Sequence, residues 1–263
     1  MIGRAMSAAY GRALRALYSR GGVPWAVHDE VVRIDPSARH LVPHESEPAL
    51  YRFLRNTIRP GDVVLNVGAF LGVYAILEAR WAGENGRVVA FEPTPSSAAL
   101  ARRHFSWNEP EGDRIHLVEA AVADRAARAR FHQYDAHAMP YVNSLAAAVD
   151  TSQTPTTSEV PVVTIDDVCR ELKIVPTIVR MDVQGAEIHA LRGARTTIGA
   201  ARRLTIVVEM HPQCWPAFGV TEEHARQTIQ DLGLVARPLS TDEALFARDS
   251  HAVLSHAGSS DRS

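Results

Sequence analysis

The chain has little of what would fix its class at a glance. It has only two cysteines in 263 residues, Cys169 and Cys214, in no spacing that a metal site would use. Thiols this sparse fit a reducing compartment, the cytoplasm, with both side chains packed rather than reactive. The formal net charge is only −2, so there is no general electrostatic drive toward nucleic acid or an anionic membrane. No apolar run approaches the ~20 residues a membrane span needs, and no internal repeat is visible. There is also no G-x-G-x-x-G, the fingerprint that lets backbone approach a pyrophosphate on a helix N-terminus. What is there is 46% hydrophobic sequence, enough for one globular domain with an N-terminal extension, or at most two small domains.

The organising stretch is Asp62–Gly72. Val63, Val64, Leu65 and Val67 form a short, mostly β-branched run that reads as a parallel strand covered on both faces. Gly68 ends it, Gly72 opens a segment of helical character over Val73–Trp81, and Ala69 lies in the turn between. Ligands bind at the carboxyl ends of such strands. The spacing Gly68-x-x-x-Gly72 makes a tight turn but opens no room for a diphosphate. A ligand without phosphates fits better, namely the amino-acid end of S-adenosylmethionine (SAM). Val88–Phe91 reads as the second strand, and Glu92 at its tip lies 24 residues beyond Gly68. An acid there is placed to accept hydrogen bonds from ribose hydroxyls.

In chain order, Met1–Arg20 sets Arg4, Arg12, Arg15 and Arg20 against Ala5, Ala8, Ala13, Leu14 and Leu17, and reads as an N-terminal helix packed on the domain. A transit peptide or membrane-surface helix is the competing reading. Gly21–Pro24 reads as a linker, Val31–Pro43 as an extended pair turning at Asp35–Ser37, and Glu45–Ile58 as an amphipathic helix. Pro93–Asn108 is the helix after the second strand, with Ser96 as cap. Ile115–Glu119 is the third strand, and Glu119 at its end is a candidate for the adenine edge. Ala129–Tyr134 reads as an added strand. Ala136–Glu159 reads as a long excursion of the kind that forms lids, with Asn143–Ser144–Leu145 as a weak contact candidate. The domain boundaries expected are 1–44 for the extension, 45–256 for the main domain and 257–263 for a frayed tail.

The later strands end in acids. Thr177–Asp182 is a buried strand with Asp182 at its carboxyl end, followed by a turn at Gly185, Glu187 at a helix start, and helix through Ile188–Ile198. Leu204–Val208 runs into Glu209–Met–His211–Pro212, and Thr221–Leu232 is the next helix. Asp182, Glu209 and His211 therefore converge on one crevice from adjacent strand tips. Leu234–Pro238 and Ala252–Ser255 complete the sheet.

Five motifs now stand in order: Asn66–Val–Gly–Ala–Phe–Leu–Gly72, Phe91–Glu–Pro93, Glu119–Ala–Ala–Val–Ala–Asp124, Asp182–Val–Gln–Gly–Ala–Glu187 with Leu191–Arg–Gly–Ala194, and Glu209–Met–His–Pro212. Together they resemble the FkbM-type SAM-dependent methyltransferases, from about Glu45 to the late strands. The resemblance implies an α/β fold, a Rossmann-like seven-stranded sheet flanked by helices with the last strand antiparallel. It also implies O-methylation of hydroxyls on sugars, polyketides and related secondary metabolites. Two positions depart from the family pattern: Asn66 stands where Asp is usual, and Gln184 where Glu is usual. Asn66 can still hydrogen-bond the methionyl amino group but adds no charge.

The cofactor-binding set expected is Asn66, Gly68, Ala69, Gly72, Glu92, Glu119 and Asp182, with SAM as cofactor. His211 is the first choice of general base, with Asp182 orienting it or itself accepting the proton, and Glu209 beside them. No metal is assigned. A divalent ion on Asp182, Glu209 and His211 is the rival arrangement, which the motif spacing does not separate. The partner expected is a small-molecule hydroxyl acceptor, with no nucleic acid and no membrane; a homodimer is allowed. Nucleic-acid methylation is disfavoured by the lack of a basic stripe and of an N/D-P-P-aromatic motif. The other classes are a SAM-binding protein that has lost catalysis and a nucleotide-dependent oxidoreductase, the latter disfavoured by the missing middle glycine.

Overall fold

A computed structural model describes residues 17–18, 20–109, 114–134, 143–146, 154–240 and 245–257. The chain enters through an antiparallel hairpin, β1 (Val23–Val27) and β2 (Glu30–Ile34), then a 3-10 turn over Pro36–Leu41 and helix α1 (Pro48–Thr57). Alternating elements follow: β3 (Val63–Val67), α2 (Val73–Ala82), β4 (Arg87–Phe91), α3 (Pro95–Asn108) and β5 (Ile115–Val118). Three further strands, β6 (Ala121–Val122), β7 (Ala127–Gln133) and β8 (Thr156–Val163), make a small separate sheet in the order β6-β8-β7. Then come α4 (Ile165–Leu172), β9 (Ile178–Met181), α5 (Glu187–Arg192), α6 (Arg195–Ala200) and β10 (Thr205–Met210). A 3-10 turn over Trp215–Phe218, α7 (Glu222–Asp231), β11 (Leu234–Pro238) and β12 (Ser250–His256) end the described chain.

Seven strands form one sheet in the order β11-β12-β10-β9-β3-β4-β5. The five strands β5, β4, β3, β9 and β10 pair parallel, and β12 runs antiparallel between β10 and β11. This is the Rossmann-like α/β sheet with an antiparallel last strand that the motif order implies. Successive residues of each strand serve opposite faces. Val64, Val88, Ala90, Ile178 and Val207 pack with α1, α2, α3 and the β1–β2 hairpin. Leu65, Val67, Val89, Phe91, Val179, Met181 and Val208 pack with α4, α5, α6 and α7. The N-terminal segment is thus part of one helical layer, through Val27, Val32, Ile34, Ala38 and Val42.

Local boundaries shift for identifiable reasons. The hairpin turns at His28, whose φ is 52°, not at Asp35–Ser37. Asp35 instead caps the 3-10 turn, accepting from Ser37 N at 2.8 Å, because Pro36 suits a first helical position and cannot donate to a ladder. Val23 and Pro24, read as linker, lie in β1. Helix α3 is preceded by Thr94 rather than capped by Ser96, with Pro95 as its first residue. The helix expected over Ile188–Ile198 is two, broken at Gly193, where a Cβ would lie 2.1 Å from the Ala123 carbonyl oxygen. Most of the helix expected at the N-terminus, most of the Ala136–Glu159 excursion and the tail from residue 258 lie outside the described residues. Among the described residues no helix is long and apolar enough to cross a membrane.

Candidate active site

The chain runs outward from β3 to β4 and β5, and outward in the other direction from β9 to β10, so the order reverses between β3 and β9. The carboxyl ends of these strands border a cavity of about 460 Å³. Its floor is the chain from Val67 to Leu71, one side is Phe91–Thr94, and the other is Asp182–Gln184 with Glu209. The N-terminal segment covers it through Val27, Leu41, Val42, Pro43, Ser46 and Glu47.

The first half is built by backbone. Gly68 turns with φ +88°, and a Cβ there would lie 1.8 Å from the Asp182 carbonyl oxygen. Only glycine combines that conformation with that approach. Gly68 N–H and Ala69 N–H both donate to the Phe91 carbonyl, at 3.0 and 2.8 Å. Phe70 N–H donates to Glu92 Oε2 and Thr94 N–H to Glu92 Oε1, each at 2.8 Å. Glu92 is 5% exposed, and burial pushes its carboxyl up to about 7 against the pull of those amides. It faces the cavity, as does Ala69.

Three residues expected as cofactor contacts lie off the cavity wall. Asn66 is fully buried off the cavity wall, where its Nδ2 donates to Glu78 Oε2 at 2.8 Å. Its place on β3 turns the side chain into the α2 layer, away from the strand tip. Gly72 is also off the wall. It starts α2 at φ +77°, and a Cβ would meet the Phe105 ring at 2.4 Å, so its smallness lets α2 approach α3. Glu119 points outward, half-exposed, and pairs with Arg102; Ala120, Ala121 and Val122 line the cavity instead.

The second half is built by side chains. Buried Arg180 on β9 donates to the Gly68 carbonyl at 2.9 Å and to Asp182 Oδ2 at 3.2 Å, tying the glycine turn to the acid. Burial works against its charge, but Asp182, Glu47 and Glu78 hold it on the guanidinium. Gln184 Nε2 lies 2.9 Å from both Asp182 Oδ1 and His211 Nε2. The far nitrogen of His211, Nδ1, lies 2.8 Å from Glu187 Oε1, whose other oxygen accepts from Trp215.

The residue expected as base sits away from the cavity. His211 is 3% exposed and off the cavity wall, with Gln184 in front of it. Burial opposes its charged form, but Glu187, Asp182 and Glu209 carry its pKa up to about 9. The Gln184 amide, already donating to Asp182, favours the neutral ring instead. In either state one nitrogen faces Glu187 and the other Gln184, so no lone pair reaches the cavity.

Glu209 does line the cavity. Its Oε1 is 3.6 Å from His211 Nε2 and its Oε2 is 3.9 Å from His251 Nε2. Burial and the charge of Asp182 lift its carboxyl to about 7, with both histidines pulling the other way. Asp182 also lines the cavity, committed to Arg180 and Gln184.

Arg180, Glu47, His251 and Gln184 also line the cavity, and sequence reasoning assigns none of them a role. Arg180 carries a signal, a charge inside the apolar strand Ile178–Val179–Arg180–Met181. Glu47 carries none, because its left-handed backbone (φ 47°, ψ 57°) is invisible in the sequence. Asn143 and Leu145, weak candidates from the sequence, do reach the cavity.

A family model for the methyltransferase FkbM domain matches residues 62–235, two thirds of the chain. The chain belongs to the FkbM methyltransferase family. A comparison with curated proteins finds no match. Among solved structures, this FkbM protein is similar to the methyltransferase FkbM from Methylobacillus flagellatus, at 14% identity and TM-score 0.49 over 78% of this chain and 50% of that one. It thus spans half the length of that relative. It is also similar to an O-methyltransferase from Bacillus cereus in complex with SAH, at 14% identity and TM-score 0.47 over 83% and 84% of the two chains. A third similarity is to magnesium protoporphyrin IX methyltransferase from Synechocystis with bound SAM, at 11% identity and TM-score 0.44 over 80% and 77%.

Proposed function

We propose that this FkbM-family protein transfers a methyl group from SAM to a hydroxyl of a small molecule such as a sugar, a glycoside or a polyketide-type secondary metabolite. One observation carries the reading. A buried carboxylate, Glu92, faces the cavity beside the Gly68 turn, and a second carboxylate, Glu209, faces it from the opposite wall. The residues fit the cofactor. Glu92 keeps lone pairs for ribose hydroxyls, Gly68–Ala69–Phe70 borders the amino-acid end, and the apolar Ala120–Val122 wall suits the adenine. No middle glycine opens room for a diphosphate, which disfavours a nucleotide-dependent oxidoreductase.

When bound, SAM supplies a methyl already activated on a sulfonium, so the chain has to align the acceptor oxygen, exclude water and receive one proton. Glu209 receives it. A carboxyl near pH 7 is matched to proton transfer at neutral pH, and Asp182, His211 and Glu92 are committed elsewhere. A divalent ion on Asp182, Glu209 and His211, whose ligand atoms lie within 4.8 Å of one another, would have to displace the Gln184 amide from His211. Methyl transfer that survives EDTA speaks for the metal-free reading.

Calorimetry with SAM and its demethylated product SAH tests the first step. Binding is expected, and Glu92→Ala lowers SAH affinity by ~100-fold, since charged hydrogen bonds of about 1.5–3 kcal/mol are lost. Because the Glu92 carboxyl sits near 7 rather than 4.5, affinity weakens as pH falls through about 7 and the carboxylate is protonated. Isotopic methyl transfer to a panel of sugar and polyketide hydroxyls tests the second step, with Glu209→Gln slowing it by roughly 10²–10⁴-fold while SAH still binds. No heat with either SAM or SAH overturns the reading.

A further inference from the structure

Glu209 stands in the middle of a chain of five side chains. His211 Nδ1 lies 2.8 Å from Glu187 and His211 Nε2 lies 3.6 Å from Glu209 Oε1. On the other side, His251 Nε2 lies 3.9 Å from Glu209 Oε2 and 2.9 Å from Glu47 Oε1. The order is Glu187, His211, Glu209, His251, Glu47, an acid flanked by two imidazoles, each held by an acid of its own. The inner half is off the cavity wall and the outer half is on it.

The fold explains why the outer half meets. Glu209 and His251 are directly opposite in the antiparallel β10–β12 ladder, so their side chains share one face. Glu47 arrives from the N-terminal segment in a left-handed backbone conformation that a non-glycine residue adopts at a cost. It makes no side-chain cap for the helix it precedes and contacts His251, 204 residues away, instead. Both Glu47 and His251 lie outside the matched residues 62–235.

We infer that Glu47 and His251 are positioning residues of the reaction: Glu47 holds the His251 imidazole against the second oxygen of Glu209, and this pair sets the proton affinity of the base. The inference rests on the reading of Glu209 as proton acceptor. In the step it would serve, the S–CH3 bond of SAM would break with its electron pair left on the sulfur of the departing SAH, the acceptor oxygen would take the methyl, and the proton from the broken acceptor O–H bond would form a new O–H bond on Glu209. The groups facing Glu209 are Asp182 just past β9, His211 just past its own strand, His251 on β12 and Glu47 before α1, with Arg180 behind Asp182. Of these, His251 is the imidazole on the open side. His251 is itself drawn toward the charged form by Glu47 and Glu209, against burial and Arg180.

The test is a pH titration of the full chain carrying ¹³C-labelled glutamate and histidine side chains, with Glu209 assigned from the signal lost in Glu209→Gln and His251 from the signal lost in His251→Gln. In His251→Gln the Glu209 midpoint rises by about one pH unit, the effect of removing an opposite charge a few ångströms away. In Glu47→Gln the ring titration of His251 falls by a similar amount. SAH calorimetry on the same samples reports whether each variant is folded, and if His251→Gln does not bind, the Glu47→Gln titration decides. Midpoints that stay at the wild-type value in a variant that binds SAH overturn the assignment. A wild-type protein that binds no SAH overturns the methyl-transfer reading itself, whatever the titrations show.

Discussion

The two halves of the cavity are held in different ways. Around Gly68 and Glu92, neighbouring backbone N–H groups supply the donors: Gly68 and Ala69 to the Phe91 carbonyl, Phe70 and Thr94 to the Glu92 carboxylate. Around Glu209, side chains meet side chains from four distant segments, Glu47, Asp182, Glu209 and His251. The first half is a property of two strand–turn–helix units and tolerates little change in shape. The second depends on the whole sheet closing, and its chemistry can change with one side chain at a time. On the proposed reading, cofactor geometry is therefore the rigid side of this protein and the acceptor end the tunable one.

The largest expected effect tests that rigidity. Gly68→Ala forces a Cβ to 1.8 Å from the Asp182 carbonyl oxygen at a φ that disfavours any side chain. The neighbour is backbone of the adjacent strand and cannot swing away. A loss of about 4 kcal/mol in urea unfolding, or outright failure to fold, is expected. A Gly68→Ala protein that folds and keeps wild-type SAH affinity would mean that the turn is no more constrained than the acid wall.

What the sequence makes legible follows the same division. Gly68 and Glu92 are readable because a parallel strand, a glycine turn and an acid at the next strand tip are local patterns with one physical meaning. Asp182 and Glu209 are readable as strand-tip acids. His211 is readable too, but not its depth, since nothing in Glu–Met–His–Pro says that Gln184 stands before it. Asn66, Gly72 and Glu119 fall in the right elements but on the wrong face, because a motif gives position along a strand and only packing decides which layer a side chain enters. Glu47 and His251 depend on a left-handed residue and on a cross-strand register, and neither has a local signature.

A middle-sized effect lies beneath the cofactor half. Asn66 and Glu78 are both fully buried, joined by one hydrogen bond, with Asn66 Oδ1 and Glu78 Oε1 otherwise unpartnered. Burial lifts the Glu78 carboxyl from 4.5 to about 7, with Asn66 and Arg180 pulling the other way. A raised carboxyl pKa means that the folded state favours the protonated form, so this group's contribution to stability is present below about pH 4.5 and lost as pH rises through about 7. The protonated acid can satisfy both orphan oxygens at once, donating to Asn66 while accepting from it. Glu78→Gln mimics that form at every pH. Urea unfolding should find the variant more stable than wild type by about 3 kcal/mol at about pH 8.5, and nearly equal to it at about pH 4. Equal stabilities at the higher pH would show that Arg180 already compensates the buried charge.

The smallest effect separates wall from surroundings. Glu119 ends the strand whose neighbours Ala120–Val122 line the cavity, yet its own side chain is half-exposed and paired with the exposed Arg102. Exposed pairs of this kind are worth ~0–1 kcal/mol. If the adenine rests on the apolar wall alone, Glu119→Ala should cost less than about 0.5 kcal/mol in urea unfolding and leave SAH affinity unchanged. If the carboxylate instead swings inward to accept from the adenine amino group, leaving Arg102 costs little, and affinity in the variant would fall by ~10-fold, the worth of one such hydrogen bond. The two outcomes differ only in binding and not in stability, so calorimetry on this one variant decides whether the cofactor half ends at Glu92 or extends to the third strand.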